Sequence, residues 1–188
     1  MVRRLTLALS IPLSALLVAS GNTPERPKLA VLEIELNNIH KSAPDSTLAG
    51  RITRLGEAVR TRLASACGYQ VDRIDPAAEA AARLTQGYFY DHPDVAVRLA
   101  QSAGADWVVI PRLNRASAWV ADLQAHVVRV SDTMLVSNRI VELKGLELTP
   151  ELAAHLTDRG AAWMADQLSQ VIELARKPTG PVTRLCRP

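Results

Sequence analysis

The chain has 188 residues, 48% hydrophobic and 22% charged, enough for one domain with a real core and too few for two. That balance excludes an intrinsically disordered chain. The formal net charge of +3 falls to about +1 once Arg3 and Arg4 leave with the first segment, which excludes the concentrated basic face of a nucleic-acid binder.

Residues 1–20, MVRRLTLALSIPLSALLVAS, join a positive start to a short apolar run and to the small residues Val18-Ala19-Ser20. This is the pattern of a signal peptide cut before Gly21. The run is short for a membrane span, so the mature chain is expected to have no transmembrane segment and to reside in the periplasm. No cysteine follows Ser20, so no lipid anchor is expected. Residues 21–27, GNTPERP, read as a flexible lead-in.

Lys28 to Glu35, KLAVLEIE, reads as a strand buried on both faces, hence central in a sheet covered by helices. Residues 36–47 read as a polar loop carrying Asn37, Asn38 and His40, with Asp45 or Ser46 as the cap of the next helix. In that helix Leu48, Ile52, Leu55, Val59 and Leu63 form one apolar stripe, and Arg51, Arg54, Glu57, Arg60 and Arg62 fall off it. Gly68 stops it, and a short strand follows to Ile74.

Asp75-Pro76 opens an alanine-rich helix ending near Gln86-Gly87. Tyr88-Phe89-Tyr90 read as a plug over the core beside a turn, with a partner surface as the competing reading. Pro93 starts another helix, which Gly104 ends. The stretch from Leu99 to Val130 is the organising centre: a helix end, a buried strand Trp107–Ile110, a connection and a second strand. Pro111 predicts an interruption, a bulge or an exposed edge. Residues 123–130 and 135–146 read as an antiparallel hairpin turning at Ser131-Asp132-Thr133.

Thr149-Pro150-Glu151 is a helix start. The last helix runs to about Lys177, with Leu152, Leu156, Gly160, Met164, Leu168, Val171 and Ala175 on one face. Gly160 costs roughly 1 kcal/mol against Ala in mid-helix, so its place in the stripe predicts a close approach to the sheet. Residues 178–188 are a Pro-rich tail. Cys67, at a helix end, and Cys186, in that tail, are the two cysteines of an exported chain and are expected to pair. The competing reading is two free thiols.

Taken together, these elements predict an α/β fold. It is a single compact domain over residues 28–177, with a mixed sheet of about five strands and a C-terminal helix covering one face. The segments KLAVLEIE, LASACGYQVDRID, LAQSAGADWVVI, VVRVSDT and LTDRGAAWMADQL resemble a family of exported bacterial proteins of unknown function. Their domain is similar to the N-terminal domain of TolB and to the α/β core of CsgG-like envelope proteins. Before its Gly-Ala-Asp turn that family carries a polar, sometimes cysteine-containing segment; this chain has YFYDHPDVAVRL. Chemistry belonging to those cysteines is therefore not carried over.

No phosphate loop, nucleophile elbow or zinc-protease motif is present. His40, His92, His126 and His155 stand on different predicted elements without ligand spacing, so no metal and no cofactor are expected. Ser117, Ser131 and Ser137 have no base beside them in sequence. Glu33 and Glu35 share one side of a strand and read as a solvated face rather than an acid–base pair.

These readings favour a non-enzymatic periplasmic accessory protein that binds another exported protein of the envelope. The resemblance supports that function by fold analogy only. The alternative is a small-ligand-binding protein that uses the Asn37–His40 loop with Arg112, in the crevice beyond the parallel strands. Candidate protein-binding residues are Trp119, Arg112 and Arg115, with Tyr88 and Tyr90. Trp119 is either a surface anchor or a cap on the end of the core.

Overall fold

The central strand of the sheet is β4 (Trp107–Arg115), flanked on both sides and buried along most of its length. The structure, a computed structural model, describes residues 26–40, 43, 46–145, 150–177 and 186. The segment that reads as a signal peptide, most of the expected lead-in, Asp45, Thr149 and all of the expected tail except Cys186 lie outside the described residues.

On one side β4 pairs in parallel with β1 (Lys28–Val31) and then with β2 (Glu35–Asn38). On the other it pairs antiparallel with β5 (Val120–Arg129), which pairs antiparallel with β6 (Met134–Lys144). β3 (Gln70–Asp72) adds to the far side of β1 in parallel. The sheet order is β3-β1-β4-β5-β6, with β2 continuing the line of β1. Six strands thus occupy five positions. The first strand is interior, as its burial predicted, but β4 holds the centre.

The helices form two outer layers. α1 (Leu48–Ser65) and α5 (Pro150–Arg176) cover one face, packing on Leu29, Val109, Leu113, Leu123 and Val141. α2 (Pro76–Ala82), α3 (Tyr88–Asp91) and α4 (Pro93–Ser102) lie on the other. There Phe89, Ala96, Val97 and Ala100 meet Ala30, Leu32, Val108 and Ile110. Phe89 is the plug, almost wholly buried. Beyond Ile110 this second face turns polar, with Arg112 and Asn114 on β4 and Gln124 and Asp122 opposite them on β5.

Thr47, rather than Ser46, occupies the cap position of α1 and makes no side-chain cap bond. The α5 stripe is centred on Ala153, Thr157, Ala161, Met164, Leu168 and Ile172, with Leu156 at its edge. A Cβ on Gly160 would collide with Leu143 Cδ2 on β6, so the missing side chain sets the helix–sheet approach. Gly160→Ala is therefore expected to destabilise by about 1 kcal/mol. Displacing Leu143 outweighs the helix propensity gained. Chemical denaturation measures the loss, and Leu143→Val in the same chain should recover most of it.

The predicted strand 28–35 is two strands, and the break has a physical cause. Odd-numbered peptide groups of β4 face β1 and β2: Val109 C=O accepts from Leu32 N–H at 3.1 Å, and Arg115 C=O accepts from His40 N–H at 3.0 Å. Pro111 therefore lacks its N–H on that side. Val31 pairs with Val109 and Glu35 with Arg112, so three residues (32–34) lie opposite two. β4 itself runs through Pro111, which is buried opposite Ala125. The expected irregularity falls on the neighbouring strand instead.

Two buried charges from opposite layers satisfy the freed backbone groups. Arg60 of α1 donates from Nε to Val31 C=O at 3.3 Å and from Nη2 to Leu32 C=O at 3.2 Å. It also pairs with Glu33 at 3.0 Å. On the other face, the Glu79 carboxylate accepts Glu33 N–H at 3.1 and 3.2 Å and pairs with Arg83 at 2.6 Å. In the alanine-rich helix α2 the buried residue is this glutamate. Burial holds its carboxyl above the usual glutamate value, against the opposing pull of the Glu33 amide and Arg83.

Candidate functional site

The carboxyl ends of β2 and β4 gather five of the residues singled out in the sequence. Asn37 and Asn38 lie on β2 rather than in a loop, because β4 offers them a paired edge at Asn114 and Arg115. Arg115 is 3% exposed. Its Nη1 donates to Asn38 Oδ1 at 2.9 Å and approaches His40 Nδ1 at 3.4 Å. On the opposite face Asn37 Nδ2 donates to Asn114 Oδ1 at 2.7 Å. The site thus has a rigid polar floor built on ladder positions, which positions side chains better than a loop does.

Two apolar side chains stand at the same end. Ile39, directly after β2, is 61% exposed, and Trp119, directly before β5, is 63% exposed. Ser117 Oγ accepts from Trp119 N–H at 3.1 Å and from Val120 N–H at 3.0 Å, which shapes the β4–β5 connection. With that exposure Trp119 does not cap the core. Sequence reasoning did not single out Ile39, because one isoleucine in a polar segment carries no periodic signal.

Arg112 belongs to a different cluster. Three residues apart on one strand, Arg112 and Arg115 point to opposite faces. The Arg112 guanidinium stacks 4.7 Å from the Tyr90 ring centroid, and Tyr90 lies 4.1 Å from His126. The Tyr90 hydroxyl and Arg112 Nε are buried without a hydrogen-bond partner. Burial pushes the Tyr90 hydroxyl well above its usual range, with Arg112 opposing. Burial first, and then Arg112, holds His126 below the ordinary histidine value. Tyr88 packs separately, 4.5 Å from His92 and 6.2 Å from Phe89.

Glu33 and Glu35 do not form a solvated pair. The break between β1 and β2 sends Glu33 to Arg60 and Arg73. Glu35 is buried and accepts the Gly87 N–H. Among the described residues no three His, Cys, Asp or Glu side chains are arranged to hold a metal ion. Among those same residues no helix is long and apolar enough to cross a membrane.

The described residues define an α/β domain with a five-position mixed sheet between two helical layers, carrying exposed apolar groups at one end over a hydrogen-bonded polar floor. The chain belongs to the family described as "Protein of unknown function (DUF2380)", whose model matches residues 27–166. No curated protein matches it. Among solved structures it is similar to the PelC dodecamer from Paraburkholderia phytofirmans, at 18% identity, covering 78% of this chain and 87% of that one with a TM-score of 0.49. It is similar to the LpoB C-terminal domain from Salmonella enterica, at 14% identity, 63% and 82% coverage and a TM-score of 0.44. The likeness to TolB, from Acinetobacter baumannii, has 15% identity and a TM-score of 0.41, covering 82% of this chain and 29% of TolB. None of these comparisons assigns the chain an enzyme class.

Proposed function

We propose that this chain is an exported, non-catalytic accessory protein of the bacterial envelope. In this reading it binds another exported protein through the carboxyl end of its sheet. The observation that carries the reading is the exposure of Trp119 and Ile39 at the end of a rigid sheet, above the buried Arg115 network. Large apolar side chains beside an ordered arginine are the composition of binding hot spots. The Cys67–Cys186 disulfide supports export, since such bonds persist in oxidising compartments. The signal-peptide pattern of residues 1–20 supports the periplasm as the destination. Residues 28–177 are then the working domain of the mature protein.

A photo-crosslinking amino acid at Trp119, expressed in the native host, is expected to trap one exported protein. Binding of that protein to the purified domain should weaken at least tenfold with Trp119→Ala, the loss typical of a hot-spot aromatic. Unchanged binding would overturn the surface, and turnover of a substrate by the purified protein would overturn the accessory role.

A second reading has one observation behind it. A cleft of about 490 Å³ between β2 and α1 is lined by Ile34, Leu36, Ala49 and Ile52. A small apolar ligand seated there would appear in the native mass spectrum of the purified protein.

A further inference from the structure

The two edges of the sheet are unequal. One side is closed by β3, three residues long beside β1, and by β2, four residues long, whose Leu36 C=O accepts from Gln86 Nε2; both are short and therefore blunt. β6 closes the other with eleven, and among the described residues it pairs only with β5. Natural edge strands of that length are protected by prolines, charges or bulges. The one register shift in the β5–β6 ladder falls at Val136, which leaves 137–144 a regular edge. Residues 134–144 contain no proline, and their only lysine is the last residue.

The direction of the free backbone groups follows from the ladder. Gly145 N–H donates to Trp119 C=O at 2.6 Å, in register with Val120 opposite Lys144. Odd-numbered peptide groups from 137 to 145 therefore face β5. Those of Asn138, Ile140, Glu142 and Lys144 point away from the sheet. Of the eight exposed large hydrophobic side chains among the described residues, five belong to β6 and α5: Met134, Leu135, Ile140, Trp163 and Leu174. A groove of about 600 Å³ runs between these two elements, with Leu143, Leu156, Gly160 and Trp163 in its wall.

We propose that β6 is the interface with a second copy of this chain, pairing antiparallel with its own counterpart about Ile140. A two-fold axis normal to the sheet keeps each copy's faces aligned. It requires paired residue numbers of equal parity, which the outward groups satisfy. The side chains choose the register. Centred on Ile140, the exposed isoleucine meets its copy, Asn138 faces Glu142 twice as amide against carboxylate, and Arg139 faces Val141. Centred on Arg139, two guanidiniums stand directly opposed, which is destabilising. Centred on Val141, Ile140 meets Glu142 and Arg139 meets Leu143. Of these three registers, the one centred on Ile140 is self-complementary. The contact consumes both long edges and closes as a dimer, since β3 and β2 are too short to extend it. This inference does not rest on the accessory-protein reading.

Light scattering of the oxidised full-length mature protein at micromolar concentration tests it. The expected mass is that of a dimer. Asn138→Pro removes one outward N–H and leaves the β5 ladder intact. Ile140→Lys changes only an exposed side chain. Each should halve the mass without loss of far-ultraviolet circular dichroism. Ile140→Cys should form a disulfide-linked dimer across the axis, whereas Ser131→Cys, in the hairpin turn, should not. A monomeric wild-type protein would overturn the proposal, and so would a dimer that survives both edge substitutions.

Discussion

Replacing Arg60 by methionine is expected to destabilise the protein by about 3 kcal/mol or more. Arg60 is 6% exposed, and its guanidinium serves Val31 C=O, Leu32 C=O and Glu33 together. Methionine fills the volume but leaves two backbone acceptors without donors. A buried acceptor in that state costs roughly 1–3 kcal/mol. Arg60→Lys should recover only part of the loss, because one ammonium cannot span both carbonyls and the carboxylate as the planar fork does. Urea denaturation of the three proteins gives the ranking. Glu79→Gln is the informative contrast. The amide keeps an acceptor for Glu33 N–H and removes the buried charge, so its cost at neutral pH should be within about 1 kcal/mol. The Glu79 carboxyl is held above the ordinary glutamate value by burial. Between those two values the native state binds more protons than the unfolded chain, so stability falls as pH rises through that window. Glu79→Gln should abolish that part of the pH dependence. Equal stability of Arg60→Met and wild type would show that the strand break needs no arginine.

The difference between what the sequence reveals and what it hides is one of range. The α1 stripe is legible because its spacing is local, and Leu48, Ile52, Leu55, Val59 and Leu63 are all buried. The antiparallel hairpin and the close approach at Gly160 are legible for the same reason. Arg60 and Arg51 fall off that stripe, yet both are buried. What buries Arg60 is a break in β1, and what breaks β1 is Pro111 on a strand far along the chain. No window of sequence contains both. The polar residues Asn37 and Asn38 likewise look like loop until β4 is placed beside them. In the candidate site, Arg115 with Asn38 and His40 assembles as one end of the sheet. Arg112 separates from them because strand periodicity turns it to the other face, against Tyr90. Residues close in number are therefore gathered or divided by a pairing that only the fold supplies.

Breaking the disulfide should have the largest effect of any single change. Cys67 follows α1, and its N–H donates to Arg62 C=O at 3.2 Å. Cys186 is buried, and its sulfur lies 3.8 Å from Ala165 C=O of α5. The bond between them spans 119 residues of sequence and ties the tail to the face that α1 and α5 share. In the chain-entropy model a loop of that length contributes about 5 kcal/mol by restricting the unfolded chain, and measured losses from small secreted domains run at roughly 2–5 kcal/mol. For a chain of this size, that corresponds to a fall in Tm on the order of 10 °C. Scanning calorimetry of oxidised and reduced protein measures it. Cys67→Ser, Cys186→Ser and the double variant should fall to the same Tm, because each removes one and the same crosslink. Additive losses would mean that the thiols contribute separately through packing, and the loop-closure account would fail. In a reducing cytosol the chain would fold without this contribution, so it reaches its full stability only where thiols are oxidised.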